Sequence, residues 1–416
     1  MDILQSINVF TTAILAALAL AASAPAALAQ AGAGHHHGAG AILGERVSQD
    51  LGTAAAFDRK GRLWVASKET DDGHQYVALR RSDDMGKTWS VPRRIQKTPE
   101  PVAARGEARP HIAFGGHDEI YITYTSTVAM PHIGDIRFVR STDGGQTFSA
   151  PLTVHANRDF IVHSFESIVV DPDGRIYIAW IDSRDARDAK RRQERYAGSA
   201  VYYAVSSDQG ATFKGDYKIA DHACECCRIG LALDPEGKPV ALWRHVFAPN
   251  ARDHALARLQ PDGSASAPER VTFDDWRIDA CPHHGPSLAY TPDGTRHQVW
   301  FNGKEGDGGG VRYAAAKADG ALAEPVSLGS AQAAHADILA QGQQVVIVWK
   351  QFDGQSTAIL TRRSDDGGKT WKEGELARTD GDSDKPYLAA APTGPVLYWR
   401  TRNEGIRIVH AGKDKP

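Results

Sequence analysis

The octapeptide SDDMGKTW at 82–89 decides the fold, because it returns three more times along the chain. It reads STDGGQTF from Ser141, SSDQGATF from Ser206 and SDDGGKTW from Ser364. The shared pattern is S-x-D-x-G-x-T followed by Trp or Phe. Each position has a turn chemistry: Ser and Asp side chains satisfy backbone N–H groups of a hairpin turn, and Gly takes a conformation closed to other residues. The closing aromatic ring plugs the gap between neighbouring sheets. Asp84, Asp143, Asp208 and Asp366 therefore read as structural rather than catalytic.

Working outward, a second pattern lies upstream of each box: an apolar strand, a turn ending near Gly, then an apolar-aromatic strand. Its copies are AAAFDRKGRLWVAS, HIAFGGHDEIYITY, SIVVDPDGRIYIAW, GLALDPEGKPVALW, SLAYTPDGTRHQVW, DILAQGQQVVIVW and YLAAAPTGPVLYW. The turns sit near Gly61, Asp118, Gly174, Gly237, Gly294, Gly342 and Gly394, about 48 to 63 residues apart, a spacing that suits four-stranded blades. Two boxes are degenerate, RLQPDGSASAP from Arg258 and AAKADGALAEP from Ala315. The seventh copy lacks an outer strand. The segment GERVSQD at 44–50 resembles the outer strands VPRRIQK and KGDYKIAD, so it is expected to complete blade seven and close the ring.

The repeated octapeptide is the Asp box, and the repeat resembles that of the sialidase and BNR-repeat superfamily. The resemblance covers nearly the whole chain after its leader and implies an all-β propeller. Enzymes of the superfamily commonly have six blades; the count here is seven. The chain also resembles exported sialidase-like proteins carrying ACECC and CPHxGP segments, a resemblance that names no reaction. Such a likeness specifies fold, and fold does not carry function.

The N-terminus differs from the repeats. TTAILAALALAA from Thr11 is apolar but too short to span a bilayer, and Ala27-Leu28-Ala29 fits a small-x-small cleavage site before Gln30. Residues 1–29 are read as a signal peptide, 30–43 as a flexible Gly/Ala/His tail with His35, His36 and His37, and 44–416 as one propeller domain. The protein is expected to be periplasmic or secreted, with no transmembrane segment. A net charge of −3 gives no global pull toward nucleic acid or anionic membranes.

Each blade is an antiparallel meander, so its turns alternate between two faces. The Gly turns and Asp boxes share one face. The crossovers into each inner strand share the other, and they cluster at the axis, where a small ligand or metal is expected to bind. These crossovers are chemically biased: all four Cys and six of the 17 His fall in them. They read RGEARPH ending at His111, RDFIVHSFE with His163 and Glu166, DHACECCR with His222 to Arg228, DDWRIDACPHHGP with Trp276 to His284, AAHAD with His335 and Asp337, and DGDSDKPY with Asp382, Asp384 and Tyr387. A charged loop from Asp182, DSRDARDAKRRQERYAG, reads as a solvated helix or a lid.

The resemblance implies what a working sialidase would need: three Arg clamping a carboxylate, an acid/base Asp, and a Tyr activated by a Glu. The Arg-Ile-Pro signature is missing, and Arg109-Pro110 is the nearest match. By position, Arg105, Arg109, Arg228 and Arg277 are the candidate clamps, Tyr387 with Glu166 the candidate nucleophile pair, and Asp279 or Asp337 the acid.

The cysteines suggest a different chemistry. An exported chain with four Cys ordinarily forms two disulfides. A bridge from Cys226 or Cys227 to Cys281 is feasible, yet a second bridge is awkward because Cys224, Cys226 and Cys227 crowd one loop. The alternative is a metal site of Cys224, Cys226, Cys227 and Cys281 with His283 and His222, His284 or His335. Such soft ligands favour copper, with zinc second. Three function classes stay open: a metal-handling or metal-dependent propeller, a sialidase-type glycoside hydrolase, and a non-catalytic binding propeller.

Overall fold

The computed structural model describes residues 51–412, except 129–132, 281 and 319. Seven antiparallel sheets follow one another along the chain, each with its strands paired in sequence order. Their inner strands are Thr53–Phe57, His111–Phe114, His163–Val170, Gly230–Leu233, Ser287–Tyr290, Ala333–Gln341 and Tyr387–Ala391. This is the expected seven-bladed β-propeller. Six blades show four strands, and blade 7 shows three, ending with Gly405–His410. Its proposed closing segment, 44–50, lies outside the described residues, as do the leader and the His-containing tail.

The blades stack because both faces of every sheet are apolar. In blade 3 the second strand, Ile176–Asp182, is buried throughout. Side chains alternate along a strand. Ile176, Ile178 and Trp180 accordingly enter a core with Ile136 and Phe138 of blade 2, while Tyr177, Ala179 and Ile181 meet Ala241 and Trp243 of blade 4.

The four Asp boxes share one hydrogen-bond pattern. In the first, the Gly86 amide donates to Ser82 Oγ at 2.8 Å, and the Thr88 amide and hydroxyl donate to the two Asp84 oxygens at 2.8 and 2.6 Å. The same bonds hold Asp143, Asp208 and Asp366. The Thr88 hydroxyl, then its amide, draw the Asp84 carboxyl down to about 2. The glycine is required by space as well as by backbone angle: at Gly210, φ is +78° and an added Cβ would lie 2.4 Å from the Phe138 ring. Each box aromatic meets the preceding blade. Phe213 sits edge-on to Phe138 at 4.9 Å, and Trp371 to Tyr313 at 5.2 Å. Trp89 of blade 1 joins a cluster with Tyr398, Ile406 and Ile408 of blade 7, so first and last blades are joined by packing.

Boxes and Gly turns do share one face. The Gly144 amide donates to the Asp118 carbonyl at 3.1 Å, and the Gly367 amide to that of Gln343 at 2.9 Å. The charged loop of blade 3 forms a helix, Arg184–Arg191, with Ala189 its buried residue. It is tethered by Arg184 to the buried Asp182 and to Asp216, both at 2.6 Å. No helix among the described residues is long and apolar enough to cross a membrane.

Candidate functional site

Opposite the boxes, the crossovers meet at the axis around one carboxylate, Glu107. It is 2 % exposed. Its Oε2 accepts from Arg228 Nη1 at 2.9 Å and from the Gly285 amide at 3.2 Å. Its Oε1 lies 3.3 Å from Lys385 Nζ and 3.4 Å from His335 Nδ1. A side chain from the crossover into blade 2 thus holds the crossovers into blades 4, 5, 6 and 7. Gly285 is small because Arg228 fills its side-chain space; an added Cβ would lie 2.3 Å from Arg228 Cγ. Arg228 also donates to the Ala336 carbonyl at 2.7 Å.

A second buried pair lies beside it. Arg109 grips Asp384 through both nitrogens, at 2.6 and 3.0 Å, and donates to the Thr53 carbonyl at 3.0 Å. Two guanidinium groups, which stay charged, are thus matched by two carboxylates. Burial alone would raise Glu107, but Arg228 above all holds it well below the usual range. Lys385 is the third cation of the cluster, and Asp337, which acts on Arg228, is its third carboxylate. Burial and the neighbouring Arg228 drive Lys385 well below the ordinary lysine value, against the pull of Glu107. Burial, then Arg109, Lys385 and Arg228, lower His111 to about 3, so its imidazole is neutral.

The remaining sialidase-type candidates are also engaged. Asp337 accepts from Ser287 Oγ and from the Leu388 amide, both at 2.8 Å, which ties blades 5, 6 and 7 together. Tyr387 is raised to about 12 by burial and then by Asp337; its other charged neighbours are Arg109 and Arg228. Glu166 sits between blades 2 and 3, where its Oε2 accepts from Thr125 Oγ1 at 2.6 Å, and burial lifts its carboxyl to about 7. The structure therefore places Glu166 on Thr125 rather than among the groups around Tyr387. Arg277 is exposed and pairs with Asp275 at 2.9 Å, and Asp279 accepts from Asn250 at 2.6 Å at the blade-4 rim. Arg105 is exposed.

The crossover into blade 4 gathers thiols. Cys224, Cys226 and Cys227 are buried. Cys224 Sγ lies 3.7 Å from Cys227 Sγ and 4.0 Å from Cys226 Sγ, and all three sulfurs fall within 4.8 Å of one another. Arg252 Nη1 is 3.7 Å from Cys224 Sγ. The Cys224 amide donates to the Arg244 carbonyl at 2.8 Å, which fixes one end of the turn, and Arg228 on Glu107 fixes the other. Burial pushes the Cys227 thiol up to about 12.

The imidazoles proposed to join these thiols have other partners. His335 lies on Glu107, and its ring stacks on His284 at 4.1 Å. His284 also stacks on Phe301. His222 bonds the Ala197 carbonyl through Nδ1 at 3.1 Å and lies against Tyr196. His283 has a left-handed backbone, φ +53°. Cys281 lies outside the described residues. A second group of metal-compatible side chains is Asp135, His155 and His163. His155 Nε2 accepts from the Ile136 amide at 3.1 Å and its Nδ1 faces the Asn157 carbonyl at 2.5 Å, so both nitrogens are used in the core.

Sequence reasoning passed over Glu107 and Lys385, and named Asp384 among the crossover residues without giving it a role. The signal was present in RGEARPH and DGDSDKPY, two charged crossovers that the topology must bring to the axis.

The family model of the BNR/Asp-box repeat matches residues 362–373, which contain the fourth box. No curated protein matches the chain. Among solved structures, an ulvan lyase of polysaccharide lyase family PL25, bound to -[GlcA(1-4)Rha3S]-, is 12 % identical with a TM-score of 0.55, covering 89 % of this chain and 94 % of that one. An α-L-arabinanase of Penicillium chrysogenum complexed with arabinobiose is 15 % identical with a TM-score of 0.50, covering 74 % and 90 %. A Hadza microbial sialidase is 14 % identical with a TM-score of 0.47, covering 88 % and 66 %. At such identities the likeness is one of fold.

Proposed function

We propose that this chain is an exported propeller that binds a soft metal ion, copper before zinc, through the thiols of the crossover into blade 4. One observation carries the reading: three buried sulfurs with separations of 3.7 and 4.0 Å and all within 4.8 Å. Thiolates select soft or borderline ions. Cys281 and His283, on the adjacent crossover, are the remaining candidate ligands of the set. Export is supported by the apolar run from Thr11 and the small-x-small site at Ala27 to Ala29. The role is metal handling or metal-dependent chemistry.

A sialidase-type hydrolase is the second reading, supported by the fold and the Asp boxes. It is disfavoured because Arg109 and Arg228 already grip Asp384 and Glu107, which leaves neither guanidinium open to a substrate carboxylate.

Protein purified natively, without added metal, should carry about one copper or zinc per chain, with its thiols reactive after the metal is chelated. Metal-free protein with all four Cys in disulfides would overturn the reading.

A further inference from the structure

We infer that the thiol triad is a three-coordinate site: Cys224, Cys226 and Cys227 alone hold Cu(I), and the second crossover is dispensable for that ion. This rests on the metal-binding reading above and specifies its ion and ligand set.

The first support is geometric. Sulfurs separated by 3.7 and 4.0 Å, with the third pair within 4.8 Å, have a common centre in their own plane. That centre lies about 2.2 to 2.5 Å from each sulfur, the length of a metal–thiolate bond. An ion that accepts three ligands fits there with little movement of the turn. Zinc in protein sites is almost always tetrahedral, so it must leave that plane and recruit a fourth donor.

The surroundings give the second support. His335 and His222, two imidazoles named for the site, are held on Glu107 and on the Ala197 carbonyl. Of the other donors named for the site, Cys281, His283 and His284 all stand on another crossover. By contrast, the three sulfurs lie on a single turn whose two ends are pinned, at the Cys224 amide by the Arg244 carbonyl and at Arg228 by Glu107. Such anchoring preorganises ligands.

Charge is the third. Three thiolates around a monovalent ion carry two net negative charges, which burial penalises unless cations stand near. Arg252 Nη1 lies 3.7 Å from Cys224 Sγ and supplies such a charge. On binding, the thiols release their protons to solvent, the ion forms three Cu–S bonds, and no electron is transferred.

The test uses the full chain after its leader, reduced and handled without oxygen. Cu(I) is titrated against a chromogenic Cu(I) chelator and Zn(II) against a chromogenic zinc chelator, for the wild type, Cys281→Ser and Cys226→Ser. X-ray absorption at the copper edge counts sulfur neighbours in the wild type. The expected result is one Cu(I) per chain with three sulfurs. Cys281→Ser should keep Cu(I) affinity within about threefold, and Cys226→Ser should lose more than about 100-fold, beyond the loss that outer-shell groups cause. Zinc should bind more weakly and lose further in Cys281→Ser. Four sulfurs per copper, or equal Cu(I) losses in the two variants, would overturn the three-coordinate site while leaving metal binding intact. Wild-type protein with reduced thiols that takes up neither ion would overturn both.

Discussion

Replacing Glu107 by Gln should destabilise the propeller more than any other single change at the axis. Glu107 Oε2 accepts from Arg228 Nη1 at 2.9 Å and from the Gly285 amide at 3.2 Å, and Oε1 faces Lys385 and His335. Gln keeps one acceptor and turns the other oxygen into a donor among donors. It also takes from the buried Arg228 guanidinium the carboxylate it bonds at 2.9 Å. Breaking a buried pair from one side costs about 3 to 5 kcal/mol. The assay is urea unfolding followed by Trp fluorescence, at pH 7 and at lower pH. The sign of the pH dependence follows from the lowered carboxyl. Its contribution is complete above the unfolded value, near 4.3, and is lost as pH falls toward the folded value. Glu107→Gln lacks that contribution throughout, so the gap between the two proteins should narrow below about pH 4. Lys385→Met supplies the contrast. Burial, and then Arg228, hold Lys385 well below the ordinary lysine value, so its loss gives up less charge interaction and should change stability by less than about 1.5 kcal/mol. A Glu107→Gln cost under about 1 kcal/mol, or an equal cost for Lys385→Met, would refute this assignment of charge.

Three other outcomes follow from the fold and the axis. Gly210→Ala should cost about 2 to 3 kcal/mol, because positive φ and the Phe138 ring both oppose a side chain; unfolding at the wild-type urea midpoint would contradict the close approach. Deleting 44–50 should lower the melting temperature by exposing the outer edge of blade 7, whereas deleting 30–40 should not; equal melting curves would dismiss the closing strand. A fluorogenic sialoside should be hydrolysed weakly or not at all, and efficient turnover abolished by Tyr387→Phe would promote the hydrolase reading.

The repeat made the architecture legible because turn chemistry is local. Ser82, Asp84, Gly86 and Thr88 bond one another within one octapeptide, so their spacing carries the geometry. Blade count and the sharing of faces followed from the same periodicity. The axial contacts were less legible. Glu107 and Arg228 are 121 residues apart, and Arg109 and Asp384 are 275 apart. The topology said that these crossovers meet, but not which charges would pair. Treating Arg109 and Arg228 as open clamps overlooked that each has a carboxylate within its reach. The thiols were legible because Cys224, Cys226 and Cys227 are near in sequence. Their proposed imidazole partners were not, because a His such as His335 has several acceptors available once the crossovers converge.

The use of polar groups at the axis bears on where a ligand can act. A site that receives a charged ligand needs charges that are not already neutralised inside the protein. Here Arg109 and Arg228 are matched by Asp384 and Glu107, and Asp337 uses both oxygens on neighbouring blades. The axial groups therefore act as a keystone: one carboxylate replaces the backbone bonds that no sheet can make between blades. The same crossovers carry the thiols, and Arg228, the residue after Cys227, is the keystone's main cation. The order of the turn that holds the sulfurs is thereby coupled to the charge balance at the axis. This arrangement gives a reason for Cys224, Cys226 and Cys227 to lie on a crossover that the axial carboxylate holds through Arg228.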